Sequence, residues 1–197
     1  SIGDFSTQVL LGQLPAMFHP NADTVLVIGL GSAVTVGSIL THPVHSVECV
    51  EISPEVVAAA HQFSDVNYNA LLDKRLAVRT EDALAYLHLT QKKYDVIVSE
   101  PSNPWIAGIG NLYTSEFFRS CKSKLKKGGI MTQWFHIYEI DDDILKLVIR
   151  TFCGAFSNVT LWQTAASDVV FMGSDEPLAL DLPMLRGKFQ EERIKKD

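Results

Sequence analysis

Short runs of apolar residues alternate along the chain with segments whose apolar residues recur at helical spacing. A β-branched run such as 24–28, which has no polar interruption, indicates a strand buried on both faces of a parallel sheet. The pattern predicts strands at 24–28, 47–50, 76–79, 94–98, 130–135, 159–163 and 169–172. Between them it predicts helices at 35–40, 54–63, 82–87, 114–125 and 142–152.

The two ends of the chain have different patterns. The apolar spacing from Gln8 to Leu14 predicts a lead-in helix at 5–18, with Pro15 as its stop signal. Only 164–168 separates the last two strands, which is too short for a helical crossover and therefore predicts an antiparallel hairpin. Charged residues dominate after Pro183, so we expect a single domain at 1–183 and a solvated, charged C-terminal tail at 184–197.

Strand–helix alternation that closes in a hairpin is typical of doubly wound α/β folds. We therefore expect a mostly parallel, seven-stranded Rossmann-like sheet of the class I methyltransferase type, with a C-terminal antiparallel β-hairpin. Such folds bind ligands in the crevice at the carboxyl ends of their strands. The residues that follow each predicted strand are thus the candidates for function.

The first strand runs into the turn Gly29-Leu30-Gly31-Ser32. Glycines let a backbone approach a ligand closely, and the next helix offers unpaired N–H groups, although a purely structural turn would use the same glycines. Glu51 ends the second strand, where an acidic side chain accepts hydrogen bonds from both hydroxyls of a ribose. The alternative for Glu51 is a surface carboxylate that caps the following helix.

Acidic residues also follow the third and fourth strands. A carboxylate at Glu81 or Asp82 can accept from an adenine amino group while Ala83 leaves room for the ring; Asp82 also suits an N-cap, and both roles are compatible. Glu100 begins a stiff, proline-bearing rim that ends at Trp105. Glu100 is placed to act as a base or to stabilise a cation, and a proline-stiffened loop plugged by the tryptophan is the alternative.

Composition narrows the classes of function. The chain has 197 residues, 47% hydrophobic and 20% charged, which fits a soluble globular domain. Its net charge of -6 argues against nucleic acid as a partner. The three cysteines and six histidines lack metal-ligand spacing, so no metal is expected. Apolar runs are far shorter than the roughly 20 residues of a membrane span, so we expect no membrane contact and a cytoplasmic location.

Over roughly 4–135 the chain resembles the spermidine/spermine synthase family, whose members move an aminopropyl group from decarboxylated S-adenosylmethionine to an amine on a methyltransferase-like fold. The matching segments, in order, are 14–15, 19–20, 25–31, 50–54, 73–75, 81–83, 94–98, Pro104, 111–118 and 125–129. The resemblance implies a small-molecule amine or other acceptor, a SAM-type donor and a possible homodimer.

The resemblance also implies roles for individual residues. It places Glu100 at the position of the catalytic carboxylate. The donor-binding residues it implies are Gly29, Gly31, Ser32, Glu51, Ile52, Glu81, Asp82 and Ala83. The acceptor-binding residues it implies are Ser102, Asn103, Trp105 and Tyr113.

The chain departs from the family pattern at several of these positions. The aspartate of the family's GGGDGG run, which holds the donor's amino group, is Ser32 here, and the second acid of its DSxDP loop is Asn103. The tyrosine and histidine expected near the start are Thr7 and Gln8. The chain is most similar to bacterial spermidine synthase-like proteins with an SEPSNPW loop. Aminopropyl transfer is the leading hypothesis; a SAM-dependent methyltransferase and a non-catalytic nucleoside-binding module are the alternatives.

Overall fold

The computed structural model describes residues 2–101, 108–138, 140–178 and 180–197. Within them, seven strands form one sheet: β1 (Thr24–Ile28), β2 (Ser46–Glu51), β3 (Leu76–Thr80), β4 (Tyr94–Ser99), β5 (Leu125–His136), β6 (Asn158–Ala165) and β7 (Asp168–Ser174). Their order is β3-β2-β1-β4-β5-β7-β6. The first five strands are parallel, and β7 runs antiparallel to both β5 and β6. The predicted fold class, including the terminal hairpin, is confirmed.

Helices cover both faces of the sheet. Among the described residues they are α1 (Ile2–Phe18), α2 (Val34–Leu40), α3 (Pro54–Ala60), α4 (Ala83–Leu89), α5 (Ser115–Lys124), α6 (Asp142–Cys153), α7 (Leu182–Phe189) and α8 (Glu192–Lys196). Single 3-10 turns occur at His61–Phe63, Ala70–Leu72 and Ile109–Tyr113. Helices α1 and α2 pack on one face, and α4, α5 and α6 pack on the other.

The apolar run of β1 divides between two cores. Leu26 and Ile28 pack in the core that contains the phenylalanines of α5, whereas Val25 and Val27 pack with α1 and α2. Alternate residues of a strand point to opposite faces of its sheet. Because both faces are covered, every position from 25 to 28 must be apolar, which is the pattern that identified the strand.

Helix α1 ends at Phe18, as in the predicted span 5–18, but Pro15 lies inside the helix and is not its stop signal. The helix continues to Phe18, and the N–H of His19 donates to the carbonyl of Pro15 at 2.9 Å. Pro15 lacks the N–H that would donate to the carbonyl of Leu11, but its own carbonyl still accepts from His19, so the helix continues past it. The following Pro20 lies beyond the end of the helix.

The C-terminal segment differs from the expected solvated tail, because it forms α7 and α8. Ile194 of α8 is buried. The ammonium of Lys188 donates to the carbonyls of Ala16 (2.7 Å), Met17 (3.3 Å) and His19, at the end of α1. A lysine there satisfies carbonyl groups that the helix itself leaves unpaired.

A buried carboxylate in β2 joins the sheet to α4. Glu48 is 5% exposed and accepts hydrogen bonds from Tyr86 (3.0 Å) and Tyr94 (2.7 Å) at one oxygen. Its other oxygen accepts from Arg79 (3.0 Å) and Lys92 (2.9 Å). Burial alone would raise the pKa of Glu48, but these four hydrogen bonds together lower it to about 2.

Replacing this carboxylate should destabilise the fold. We expect Glu48→Gln to lower the free energy of unfolding by about 2 kcal/mol, since two cationic groups lose their anion and the new NH2 group faces donors in place of one oxygen. A group with a lowered pKa adds stability above its ordinary value, so the wild type alone should lose this contribution as the pH falls from about 4.5 towards 2. Urea unfolding across that range tests both points.

The matched control is Glu176→Gln. Glu176 is half-exposed and lies 4.0 Å from the ammonium of Lys127. An exposed pair of this kind contributes little, so the control should shift stability by less than about 0.5 kcal/mol. Equal losses in the two variants would contradict the role given to the Glu48 network.

Candidate active site

The glycine turn after β1 meets the end of β4. Gly29 has a φ of 91°, and a Cβ built on it would lie 2.3 Å from the carbonyl oxygen of Glu100. The N–H of Glu100 donates to the carbonyl of Ile28 at 2.8 Å. The close packing of the two strand ends therefore requires a glycine at position 29. This is the purely structural role that the sequence also allowed for the glycines of this turn.

Gly31 has different surroundings. Its φ is 51°, and the nearest atom to a Cβ built there is Nε2 of Gln8 at 3.9 Å. The space beside Gly31 is open enough for another molecule to approach the backbone. Of the two glycines, Gly31 is the one whose missing side chain fits a ligand-binding role.

Glu51 ends β2 beside this turn and is 9% exposed. One carboxylate oxygen accepts from the N–H of Leu30 at 2.9 Å, and the other accepts from the N–H of Ser53 at 2.9 Å. The helix that follows is capped by Ser53, whose hydroxyl accepts from the N–H of Val56, and not by Glu51 as the structural alternative requires. A carboxylate has about four acceptor positions, so the two bonds to Glu51 leave acceptor capacity for a pair of hydroxyls.

The segment after β3 lies next to Glu51, because the N–H of Glu81 donates to the carbonyl of Glu51 at 3.1 Å. Asp82 is the N-cap of α4 and accepts from the N–H of Ala85 at 2.9 Å. Beside these carboxylates, Ile52 is 66% exposed. The ends of β2 and β3 therefore present an apolar surface between two acidic side chains.

Glu100 is the partly buried carboxyl at the end of β4. Burial raises the pKa of Glu100 to about 7, although hydrogen bonds from Thr35 and Gln8 act in the opposite direction. The amide Nε2 of Gln8 donates to Oε1 of Glu100 at 3.0 Å. A carboxyl with a pKa near 7 exchanges protons readily at neutral pH, as an acid–base group must.

Gln8 is a site residue that the sequence analysis noted only as a departure from the family pattern. Its Oε1 accepts from the hydroxyl of Ser32 at 3.0 Å, and its backbone carbonyl accepts from Thr35 at 3.0 Å. Together with its bond to Glu100, Gln8 links the glycine turn to the candidate acid–base group. The helical spacing of α1 predicted a core-facing helix but gave no sign of this contact.

A second polar cluster at the same edge was not predicted. Asp168, which begins β7, accepts from His136 at 2.8 Å, Trp134 at 3.2 Å and Thr7 at 3.0 Å. His136 and Asp168 are directly paired residues of β5 and β7. A hairpin prediction fixes neither the register nor the partner strand, so the sequence could not bring these residues together.

The predicted acceptor residues are only partly described. Ser102, Asn103 and Trp105 lie outside the described residues. Tyr113 is 7% exposed, and its hydroxyl donates to the carbonyl of Trp134 at 3.3 Å. Burial raises the pKa of Tyr113, so its hydroxyl keeps its proton near neutral pH.

Comparison with known proteins identifies the family of this chain. A family model described as the spermine/spermidine synthase domain matches residues 4–168. The chain belongs to this synthase family. The matched range includes the glycine turn, Glu51, Glu100 and, as its last residue, Asp168.

Curated relatives of this synthase-family chain carry the name polyamine aminopropyltransferase. Polyamine aminopropyltransferase 2 of Aquifex aeolicus (strain VF5) is 28% identical over 175 residues, covering 85% of this chain and 36% of that protein. The polyamine aminopropyltransferase of Moorella thermoacetica is 33% identical over 128 residues, covering 64% of this chain and 45% of that protein. The chain thus spans less than half the length of these relatives.

Solved structures share the fold of the synthase-family chain. A spermidine synthase in complex with the transition-state analogue AdoDATO superposes with a TM-score of 0.79 at 20% identity, covering 98% of this chain and 76% of that one. Human methyltransferase-like protein 13 in complex with SAH superposes with a TM-score of 0.71 at 17% identity, covering 98% of this chain and 90% of that one. At these identities the likeness shows the fold alone.

Neither a membrane-spanning helix nor a metal-binding cluster occurs in the described ranges. None of the helices found there combines the length and the apolar character needed to cross a membrane. The same ranges hold no group of three or more His, Cys, Asp or Glu side chains arranged to bind a metal ion.

The two glycines should respond differently to alanine. We expect Gly29→Ala to lower the free energy of unfolding by about 3 kcal/mol, because its Cβ would collide with a backbone carbonyl at positive φ. Gly31→Ala should cost only about 1 kcal/mol, because it has the φ penalty without the collision. Thermal unfolding of both variants checks this order, which equal losses would contradict.

The raised pKa of Glu100 predicts a pH-dependent stability. A carboxyl whose folded-state pKa lies above its ordinary value of 4.5 adds stability at low pH, which is lost as the pH rises to about 7. The stability of the wild type relative to Glu100→Gln should therefore fall between pH 4.5 and 7 and level off above that range. Parallel unfolding curves for the two proteins at all pH values would show that Glu100 titrates normally.

Proposed function

We propose that the chain binds decarboxylated S-adenosylmethionine and transfers its aminopropyl group to an amine. The observation that carries the proposal is Glu100, a partly buried carboxyl with a pKa of about 7 at the end of β4, beside the glycine turn. Membership of the spermine/spermidine synthase family supports it, as do relatives named polyamine aminopropyltransferases.

In this proposal the donor lies along the ends of β1, β2 and β3. Gly31 and Ser32 admit the donor, and Glu51 accepts hydrogen bonds from its ribose hydroxyls. The carboxylate of Asp82 or Glu81 accepts from the adenine amino group, while Ile52 and Ala83 contact the flat ring. The open space at Gly31 and the exposure of Ile52 support this assignment.

The acceptor is assigned to the side of Glu100. Ser102, Asn103, Trp105 and Tyr113 remain the proposed acceptor contacts, as the sequence predicts. We place the reaction in the cytoplasm, with a small amine as acceptor and no metal, and we retain the homodimer as the proposed assembly.

The proposed chemistry uses Glu100 as the base. An ammonium acceptor first loses a proton to the Glu100 carboxylate and becomes a neutral amine. The amine lone pair then forms a bond to the propyl carbon next to the sulfonium, and the carbon–sulfur bond breaks with its electron pair on sulfur. The products are a substituted ammonium and the neutral thioether methylthioadenosine. Since a sulfonium is already a good leaving group, holding donor and amine together supplies most of the acceleration.

Calorimetric titration tests the donor site. Decarboxylated S-adenosylmethionine should bind more tightly than S-adenosylmethionine, and Glu51→Ala should weaken its binding by about tenfold or more because the ribose loses its acceptor. Preference for the carboxylated donor would favour a methyltransferase instead. If neither donor nor methylthioadenosine binds, the proposal fails.

Glu100→Gln separates a catalyst from a binding module. A glutamine keeps the size of the side chain but cannot take a proton, so turnover should fall by about a hundredfold while donor affinity stays within twofold. Formation of methylthioadenosine and calorimetry measure the two effects. A loss confined to donor affinity would favour the non-catalytic module.

A further inference from the structure

The glycine turn after β1 contains one left-handed residue that is not a glycine. Ala33, which follows Ser32, has a φ of 63° and a ψ of 16° and is completely buried. This conformation is uncommon for a residue with a side chain, because its Cβ comes close to the following carbonyl oxygen. The chain has this alanine where the family's GGGDGG run has a glycine. The turn therefore depends on contacts that hold Ala33 in a conformation that glycine adopts freely.

Asn67 supplies such a contact at the peptide group that precedes Ala33. Its amide Nδ2 donates to the backbone carbonyl of Ser32 at 2.9 Å and to that of Ala60 at 3.1 Å. On the other side of the same peptide group, the N–H of Ala33 donates to the carbonyl of Leu30 at 2.8 Å. Because a peptide group is planar, the two bonds fix the plane whose rotation sets the φ of Ala33.

The side chain of Asn67 contributes as a donor. It is 1% exposed, and the opposite orientation of its amide would set its oxygen against two carbonyl oxygens. Its own Oδ1 is buried and has no donor among the residues that the structure describes. Burying an unpaired acceptor costs stability, so the two donated hydrogen bonds are what this side chain adds to the fold.

The backbone at Asn67 is strained and closely packed. A Cβ built on Gly37 of α2 would lie 2.5 Å from the carbonyl oxygen of Asn67, so the helix and this segment contact each other through backbone atoms. The next two residues, Tyr68 and Asn69, have φ values of 56° and 54°. Strained conformations of this kind persist where the surrounding structure determines them, and they are frequent at functional sites. The segment thus retains a costly backbone path beside the turn.

We infer that Asn67 is a positioning residue for the donor, which acts by holding the peptide group between Ser32 and Ala33. This inference rests on the proposed function, in which the glycine turn admits the donor, and it adds a residue that acts through the turn. Asn67 also bonds to the last residue of α3, the helix that follows Glu51. It therefore links the turn after β1 to the end of β2, the two sides of the proposed donor site.

Calorimetry of the full chain with methylthioadenosine tests the inference through a pair of substitutions. Asn67→Ala should weaken methylthioadenosine binding by about tenfold, because the turn loses the bond that holds it. Ala33→Gly alone should leave the affinity within about twofold. In the Ala33→Gly background, Asn67→Ala should weaken binding by less than about threefold, since a glycine adopts the left-handed conformation without support.

The matched control is Asp95→Asn, which alters a buried side chain at the opposite, amino edge of the sheet. Asp95 is 8% exposed and accepts from the N–H groups of Asp23 and Thr24. The control should lower the melting temperature while methylthioadenosine affinity stays within about twofold. A purely structural role for Asn67 would give the same pattern, so a loss of stability without a loss of affinity in Asn67→Ala overturns the inference.

The remaining outcomes separate the inference from the proposed function. Equal losses of affinity in the two backgrounds overturn the role of Asn67 and leave the proposed transferase intact. If methylthioadenosine does not bind the wild type, the proposed function fails, and urea unfolding of the same four proteins decides whether Asn67 holds the turn. Asn67→Ala should then cost less stability in the Ala33→Gly background, and equal costs contradict the inference.

A second variant covers the case in which Asn67→Ala does not fold. Asn67→Ser keeps a hydroxyl that can donate to one of the two carbonyls, so it removes less of the interaction. It replaces Asn67→Ala in both backgrounds. Its loss of methylthioadenosine affinity should again be smaller in the Ala33→Gly background, and the same equal losses would overturn the inference.

Discussion

The close approach of Gly29 to the carbonyl of Glu100 positions the whole candidate site. Parallel pairing of β1 with β4 brings two strand ends to one place, and the lack of a side chain at Gly29 lets them touch. In the turn that follows, the N–H of Leu30 donates to Glu51 and the hydroxyl of Ser32 donates to Gln8. A backbone contact thus determines where the acidic side chains stand relative to one another.

The buried acidic side chains of this fold differ in their partners. Glu48 has hydrogen bonds and cations that offset the cost of burying a carboxylate, and it joins β2 to α4. Within the described residues, Glu100 accepts from the amide of Gln8 and has no lysine or arginine partner, whereas Asp168 is paired with His136. Removing an acidic group from water without a cation costs stability, and groups whose pKa is shifted by burial in this way are typical of functional sites.

Much of this architecture could be predicted from the sequence, because both faces of the sheet are buried. The strand runs could be read from continuous apolar residues, and the short link 164–168 required a hairpin, which is the observed β6–β7 arrangement. Glu51 and Glu100 were found because they follow strands. Pro15 was misread as a stop signal because a proline keeps its carbonyl, which here accepts from His19 and lets the helix continue.

Contacts between distant segments were beyond the reach of sequence patterns. Thr7 and Asp168 are 161 residues apart, and neither belongs to a motif that indicates the other. The ordering of α7 and α8 was missed for the same reason, since their charged composition is typical of solvated segments, whereas Lys188 has carbonyl partners on α1. The contacts of Asp168 with Thr7 and His136 can be identified only when the register of β5 and β7 is known.

The length of helix α1 sets the distance between two groups of contacts, one near each of its ends. Lys188 holds its last turn at Ala16, while Thr7 and Gln8 engage the site near its other end. Each residue added to a helix turns everything beyond it by about 100° and moves it by about 1.5 Å. A one-residue insertion or deletion between Gln8 and Ala16 would therefore swing both side chains off their partners, so the length of this plain stretch of helix is constrained as tightly as the identity of a site residue.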